Sequence, residues 1–200
     1  MDEGGLIQAA QQGDLNAFNH LVLVYQDSVF NQAYRMLNDQ DAADDAAQNA
    51  FISAYNHIQK FRGGSFRAWL LRIVTNGCYD ELRRRQRRPT TSLEPLDDTG
   101  EEVESPEWLA DTSNMPEDQM EQKELQQAIA DCLGRLPDEF RAAVVLVDVQ
   151  GLDYSEAALA LDKPVGTIKS RLARARLRLR DCLHAVWELL PAQFRLITEE

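Results

Sequence analysis

The sequence predicts an all-α protein built as two small helical domains joined by a flexible acidic linker. Three observations predict it. Apolar residues recur at three- and four-residue spacing on both sides of the chain's middle. Residues 89–124 separate those stretches with twelve acidic side chains against one basic, Lys123, and hold four of the seven prolines. Fifteen of the 21 lysines and arginines fall in two islands, eight from Arg62 to Arg88 and seven from Lys163 to Arg180, although the formal net charge is -12. Phosphate repels a chain this acidic, so nucleic-acid contact has to come from surfaces whose local field opposes the global one. The two islands supply such surfaces.

From Leu6 to Leu37, Phe18, Leu21, Val22, Tyr25, Val29, Phe30, Ala33 and Leu37 mark amphipathic helices interrupted near Gly13-Asp14. A further helix is expected from Asp41 to Ile58, with Ala43, Ala47, Ala50, Phe51 and Ala54 inward and Asp44, Asp45 and Gln48 outward. Gly63-Gly64 makes a turn. Ser65 is placed to cap the next helix by accepting from a first-turn amide, with Phe66, Trp69, Leu70, Ile73 and Val74 as the buried face. That helix ends in Arg83 to Arg88, and Pro89 stops it. The acidic stretch that follows has too little apolar surface to offset its ordering entropy. It is expected to be linker, with a short turn at Pro106 to Leu109. Helical spacing returns at Leu125–Leu133, Pro137–Val149, Tyr154–Leu161 and Val165 to about Leu190; Ala142 to Val147 is ambiguous by propensity and is assigned to helix from its flanks.

No apolar run approaches the roughly 20 residues that cross a bilayer, and Met1 to Gly5 has neither a basic nor an apolar leader segment, so a cytoplasmic protein without membrane insertion is expected. Cys78, Cys132 and Cys182 lack the close spacing of a zinc or thiol redox motif and are assigned to core packing in a reducing compartment. No metal site and no cofactor is indicated, and no catalytic residue. An enzyme using Asp39, Asp41, Asp44 and Asp45 to hold a divalent metal lacks a neighbouring general base or phosphate loop.

Asp153-Tyr154-Ser155-Glu156 reads as a capping box opening a two-turn helix, broken at Asp162-Lys163-Pro164 and followed by a basic helix from Val165. Short helix, tight turn and longer basic helix make a helix-turn-helix, whose second member lies in the major groove. On a helical wheel, Ile168, Leu172, Ala175 and Leu179 form the inward stripe, while Ser170 and Ala173 form the outward pole with cations on both flanks. A small outward pole lets a helix approach base edges, and flanking arginines reach phosphates or fork onto guanine. A solvated basic helix is the alternative, but Lys163 to Arg180 contains no acidic partner.

Leu136-Pro137-Asp138-Glu139-Phe140-Arg141, Gly151 to Ala158 and Pro164 to Arg176 together resemble region 4 of extracytoplasmic-function (ECF) sigma factors. Gly13-Asp14 with Ala17-Phe18, Ala43-Asp44-Asp45 with Gln48 and Phe51, and Phe61-Arg62-Gly63 through Trp69-Leu70 to Asp80 to Arg85 resemble region 2 of the same family. The resemblance implies region 2 at residues 5–90, an acidic linker at 91–122, region 4 at 123–186 and an extension at 187–200. It implies a non-enzymatic partner of bacterial core RNA polymerase that confers promoter choice. Region 4 would read the minus thirty-five element through Lys169, Ser170, Arg171, Arg174 and Arg176. Region 2 would open the minus ten element and hold the melted non-template strand through Lys60, Phe61, Phe66, Arg72, Asn76, Arg83 and Arg84. Phe61 and Phe66 fit either base capture or anchoring of the turn; Trp69 is assigned to the core. Asp44, Asp45, Gln48 and Phe51 match the family's polymerase surface, although Ala46, Asn49 and Ala50 stand where larger apolar or acidic residues are usual. The linker would imitate nucleic acid in a positive polymerase channel, and an anti-sigma factor is an expected partner. The other reading is a stand-alone helix-turn-helix regulator, which leaves the first basic island unexplained.

Overall fold

A computed structural model describes residues 2–87 and 116–185, with side chains of the second segment from Glu124 onward. The expected turn at Pro106 to Leu109 and the Trp187 to Glu200 extension lie outside the described residues.

In the first half each helix start carries its own polar cap. Asp2 accepts from the Gly5 amide to open α1 (Glu3–Gln11), and Asp14 accepts from the Asn16 and Ala17 amides to open α2 (Leu15–Leu37). Asn38 ends α2 in the left-handed conformation, φ 50°, and lets Asp39 turn straight into α3 (Gln40–His57). The Ala42 amide, 2.9 Å from the Asp39 carboxylate, holds that acid below the usual range. A 3-10 turn, Ile58–Lys60, leads to the Gly63-Gly64 bend. Both glycines have positive φ, 99° and 87°, which side chains rarely adopt. Ser65 Oγ accepts from the Ala68 amide, as expected, and α4 runs from Phe66 to Arg87. The core between α2, α3 and α4 is narrow: Ala43, Ala47, Ala50 and Ala54 let α3 lie close to Val29, Ala33, Leu70, Leu71 and Val74.

The second half is α5 (Pro116–Gly134), α6 (Asp138–Val144), one wider π turn (Val145–Val149), α7 (Tyr154–Leu161) and α8 (Val165–His184). α5 starts at Pro116 rather than at Leu125. Proline suits a first helical position. Among the described residues there is no strand, no helix long and apolar enough to cross a membrane, and no acid–histidine–cysteine group able to hold a metal.

The assignment of all three cysteines to core packing needs correction. Cys132 on α5 and Cys182 on α8 are joined in a disulfide, with α carbons 5.8 Å apart. Fifty residues separate them in sequence, and only the packing of α5 on α8 brings them together. Cys78 alone is a buried core thiol, and burial pushes it up to about 12.

The two halves touch. α7 lies along α4, while α5, α6 and the π turn meet α2. Apolar side chains of both halves join in one buried cluster, and polar groups add bonds across the junction: Arg67 donates to Gln150 Oε1 at 2.8 Å, Ser28 Oγ donates to the same oxygen at 2.7 Å, and Gln150 Nε2 donates to the Ser28 carbonyl at 2.9 Å. Arg141 donates to the Met36 carbonyl near the end of α2.

Candidate nucleic-acid interface

The reading element is built from the cap outward. Asp153 accepts from the Ser155 and Glu156 amides, and Glu156 reaches back to the Asp153 amide at 3.0 Å, completing the expected capping box. Asp162, at φ 51°, ends α7, and Pro164 precedes the first turn of α8. Ile168, Leu172 and Ala175 are buried and Leu179 is partly buried against them, as the helical wheel requires. With that stripe fixed, Ser170 and Ala173 point outward and are exposed.

The five expected readers differ in their present engagement. Arg174 is exposed and bonds to no described residue. Lys169 lies 5.7 Å over the Tyr154 ring, an interaction available to an exposed ammonium, and Ser170 Oγ donates to the Thr167 carbonyl. Arg176 forks onto Asp148, and that hydrogen-bonded carboxylate raises its already high proton affinity. Arg171 pairs with Glu139, and its side chain is only 12% exposed. Beside it stands Tyr79 of α4, whose phenol burial pushes up to about 12 while Arg171 pulls it back. The first half therefore reaches one reader of the second.

In the first half, the loop from Lys60 to Phe66 is held from below. Gln11 Nε2 donates to the carbonyls of Ile58 at 3.1 Å and Phe61 at 2.9 Å. Phe61, Phe66 and Trp69 pack ring to ring at 5.4–5.5 Å, and Tyr25 completes the cluster. Phe66 is 2% exposed, so in this conformation it anchors the turn. Phe61 is half-buried, and Lys60, Arg62, Gly63, Gly64 and Ser65 form the accessible rim. Trp69 packs against the core as expected.

Along α4, Arg72 is half-buried and Asn76 is exposed. Asn76 and Arg84 line a groove of ≈ 640 Å³ between α3 and α4, whose other wall includes Ala46, Asn49, Ala50 and Ser53. Those small α3 residues are what opens the groove. Arg83 pairs with Asp80, and Arg84 with Glu81 at 2.8 Å; hydrogen bonds from Arg84 and then Arg85 hold Glu81 below the usual carboxylate range. Both arginines are largely exposed, so such pairs are weak and exchangeable for phosphate.

The expected polymerase surface divides. Asp44, Gln48 and Phe51 line a more apolar groove of ≈ 380 Å³ between α2 and α3, with Val22 and Phe30. Asp45 lies round the helix on the α3–α4 groove. Leu23 and Val24 on α2 and Ile52 on α3 are more than half exposed, apolar side chains that the sequence pattern did not single out. Sequence reasoning also missed the roles of Gln11, Arg67 and Arg141, each of which bonds to a partner distant along the chain.

Comparison with known proteins gives this arrangement its family. The model of sigma-70 region 2 matches residues 21–88 and that of sigma-70 region 4 matches residues 126–179. The ECF RNA polymerase sigma-E factor of Escherichia coli is 39% identical over 173 residues, 86% of this chain and 88% of that protein. The chain belongs to the ECF sigma factors. The RNA polymerase sigma-H factor of Pseudomonas aeruginosa is 38% identical over 172 residues, covering 86% of this sigma factor and 88% of the relative. Among solved structures, CnrH in complex with the cytosolic domain of CnrY superimposes with a TM-score of 0.65 at 25% identity, covering 90% of this chain and 96% of that one. The sigma factor RpoE in complex with the anti-sigma factor NepR from Bartonella quintana gives 0.63 at 25% identity, covering 85% and 98%. Family membership across both halves disfavours a stand-alone helix-turn-helix regulator.

Proposed function

We propose that this sigma factor binds core RNA polymerase and directs promoter-specific initiation in the cytoplasm, without enzymatic activity or cofactor of its own. Region 4, residues 123–186, reads the minus thirty-five element with Lys169, Ser170, Arg171, Arg174 and Arg176. Region 2, residues 5–90, melts and holds the minus ten element with Lys60, Phe61, Phe66, Arg72, Asn76, Arg83 and Arg84, Phe66 also anchoring the capturing loop. Asp44, Asp45, Gln48 and Phe51 meet the polymerase, and residues 91–122 act as the acidic linker between the domains. An anti-sigma factor is the expected regulator, in line with the complexes that superimpose on this chain.

The observation that carries the reading is the outward pole of α8. Ser170 and Ala173 are small and exposed between basic flanks, and the buried stripe holds them there. Arg171 and Arg176 are paired with carboxylates in the free protein, and DNA phosphate or guanine takes the place of those acids on binding.

Transcription from a pool of promoter fragments with core polymerase, with and without this protein, tests the proposal. Initiation is expected to depend on the protein and to fall at least about tenfold for Arg171→Ala combined with Arg174→Ala, since base-edge contacts carry about 1–3 kcal/mol each. Protein-independent transcripts, or full activity of the double variant, would overturn it.

A further inference from the structure

We infer that Cys132 and Cys182 form a reversible thiol–disulfide site, in which Cys182 is the attacking thiol, Cys132 the resolving one, and the bond fastens α5 to α8. Three observations carry it. The two α carbons, 5.8 Å apart, sit at a separation that a disulfide spans without backbone movement. The thiols differ in exposure: both line a cavity of ≈ 360 Å³ with Glu124, Asp131 and Arg135, but Cys132 is 4% exposed whereas Cys182 is half-buried. Arg135 Nη1 lies 3.9 Å from Cys182 Sγ, and a guanidinium at that place favours the thiolate that performs the attack. Gln127 holds the nearby Asp131 carboxylate at 2.9 Å, which occupies part of the opposing charge.

In reducing surroundings a disulfide that forms at all is usually transient and redox-sensing. A peroxide supplies the oxidising equivalents here. The Cys182 thiolate attacks one peroxide oxygen, the O–O bond breaks, and Cys182 becomes a sulfenic acid as hydroxide leaves. The Cys132 sulfur then displaces the hydroxyl, its proton leaving with that group as water, and the S–S bond forms. A small dithiol returns both cysteines to thiols by exchange. Cys78 provides an internal contrast, a free thiol fully buried in the other half.

The bond has a mechanical consequence. α5 is the first element after the acidic stretch and touches both α2 and α8. With the bond closed, α5 and α8 move as one body; with it open, α5 is free to part from α8 alone. This inference does not depend on promoter activity, and its test is read without transcription.

The full chain, reduced and then freed of reductant, is treated with maleimide or with one equivalent of hydrogen peroxide and mapped by peptide mass. Native maleimide labelling is expected at Cys182 at least tenfold faster than at Cys78. Peroxide is expected to give the intramolecular Cys132–Cys182 bond, reversed by dithiothreitol, with amide exchange in residues 124–134 slowed at least tenfold. In Cys132→Ser, dimedone is expected to trap Cys182 as the sulfenic acid, and Arg135→Gln is expected to slow Cys182 labelling several-fold while the bond still forms. Over-oxidised Cys182 without a bond to Cys132, an intermolecular dimer, equal labelling of Cys78, or unchanged exchange would each overturn the inference.

Discussion

The interiors of the two domains are almost wholly apolar, whereas the junction between them combines apolar packing, which joins both halves in one buried cluster, with buried polar bonds. Inside region 2 the helices meet through alanine, valine and leucine, and inside region 4 through Val144, Leu146, Ile168 and Leu172. The buried polar side chains among the described residues are Gln32, Thr75, Arg141 and Gln150. Arg141 and Gln150 bond across the junction, and Gln32 lies on α2 between Ser28 and Met36, which receive those bonds, with Thr75 as its own partner at 3.1 Å. A permanent core gains from apolar burial, whereas a contact that must also tolerate water is better made of groups water can satisfy. The difference teaches that the contact carries a larger polar share than either interior, so water can replace part of it at less cost than it could replace the packing inside a domain.

The largest test of that contrast is Phe66→Ala. Removing a fully buried ring from the region 2 core is expected to cost about 3–5 kcal/mol, seen as a lower thermal midpoint for region 2 helices. A midpoint within 2 degrees of the parent would mean that the cluster is peripheral. Next comes Arg67→Ala with Gln150→Ala, which removes junction bonds worth about 1 kcal/mol each. Their joint loss is expected to raise the open population roughly tenfold, read as faster exchange in α7 and a larger radius in solution scattering while domain melting barely moves. A lowered melting temperature for both domains would instead make the junction part of one continuous core. The smallest effect is expected from Gln32→Leu with Thr75→Val. Replacing both partners by apolar groups is close to neutral for stability, within about 1 kcal/mol, but makes the region 2 face costlier to expose. Scattering should show a more closed chain, and an unchanged or expanded one would contradict that view of the contact.

Local chemistry explains what could be read from the sequence. The caps at Asp14, Ser65 and Asp153 act within three residues, so they mark helix starts before any tertiary structure exists. The inward stripe of α8 was legible for the same reason, since Ile168, Leu172 and Ala175 repeat at helical spacing. What lay hidden is nonlocal. Arg67 finds Gln150 across 83 residues, Arg141 finds Met36 across 105, and Cys132 finds Cys182 across 50. No periodicity announces such pairs. Phe61 and Phe66 could not be separated by pattern, because they flank the same turn and both rings meet Trp69, while Phe66 also meets Tyr25 from a distant helix. The split of Asp44 from Asp45 onto different grooves follows from the 100° step between neighbours on a helix, and it was lost by treating them as one motif.

Arg141 gives the junction a further property. Its planar head donates to the carbonyls of Leu133, Gly134 and Leu136, closing the end of α5, and turns one remaining nitrogen to Met36 at the end of α2. Burial lowers its proton affinity only from a very high starting point, so the charge stays and opposes the negative ends of two helices at once. Three of those four carbonyls belong to its own domain. When the halves part, the guanidinium gives up a single acceptor to water and keeps the rest. Region 4 therefore leaves with its internal fastening intact, like a key withdrawn whole from a lock, and comes to polymerase or DNA already shaped.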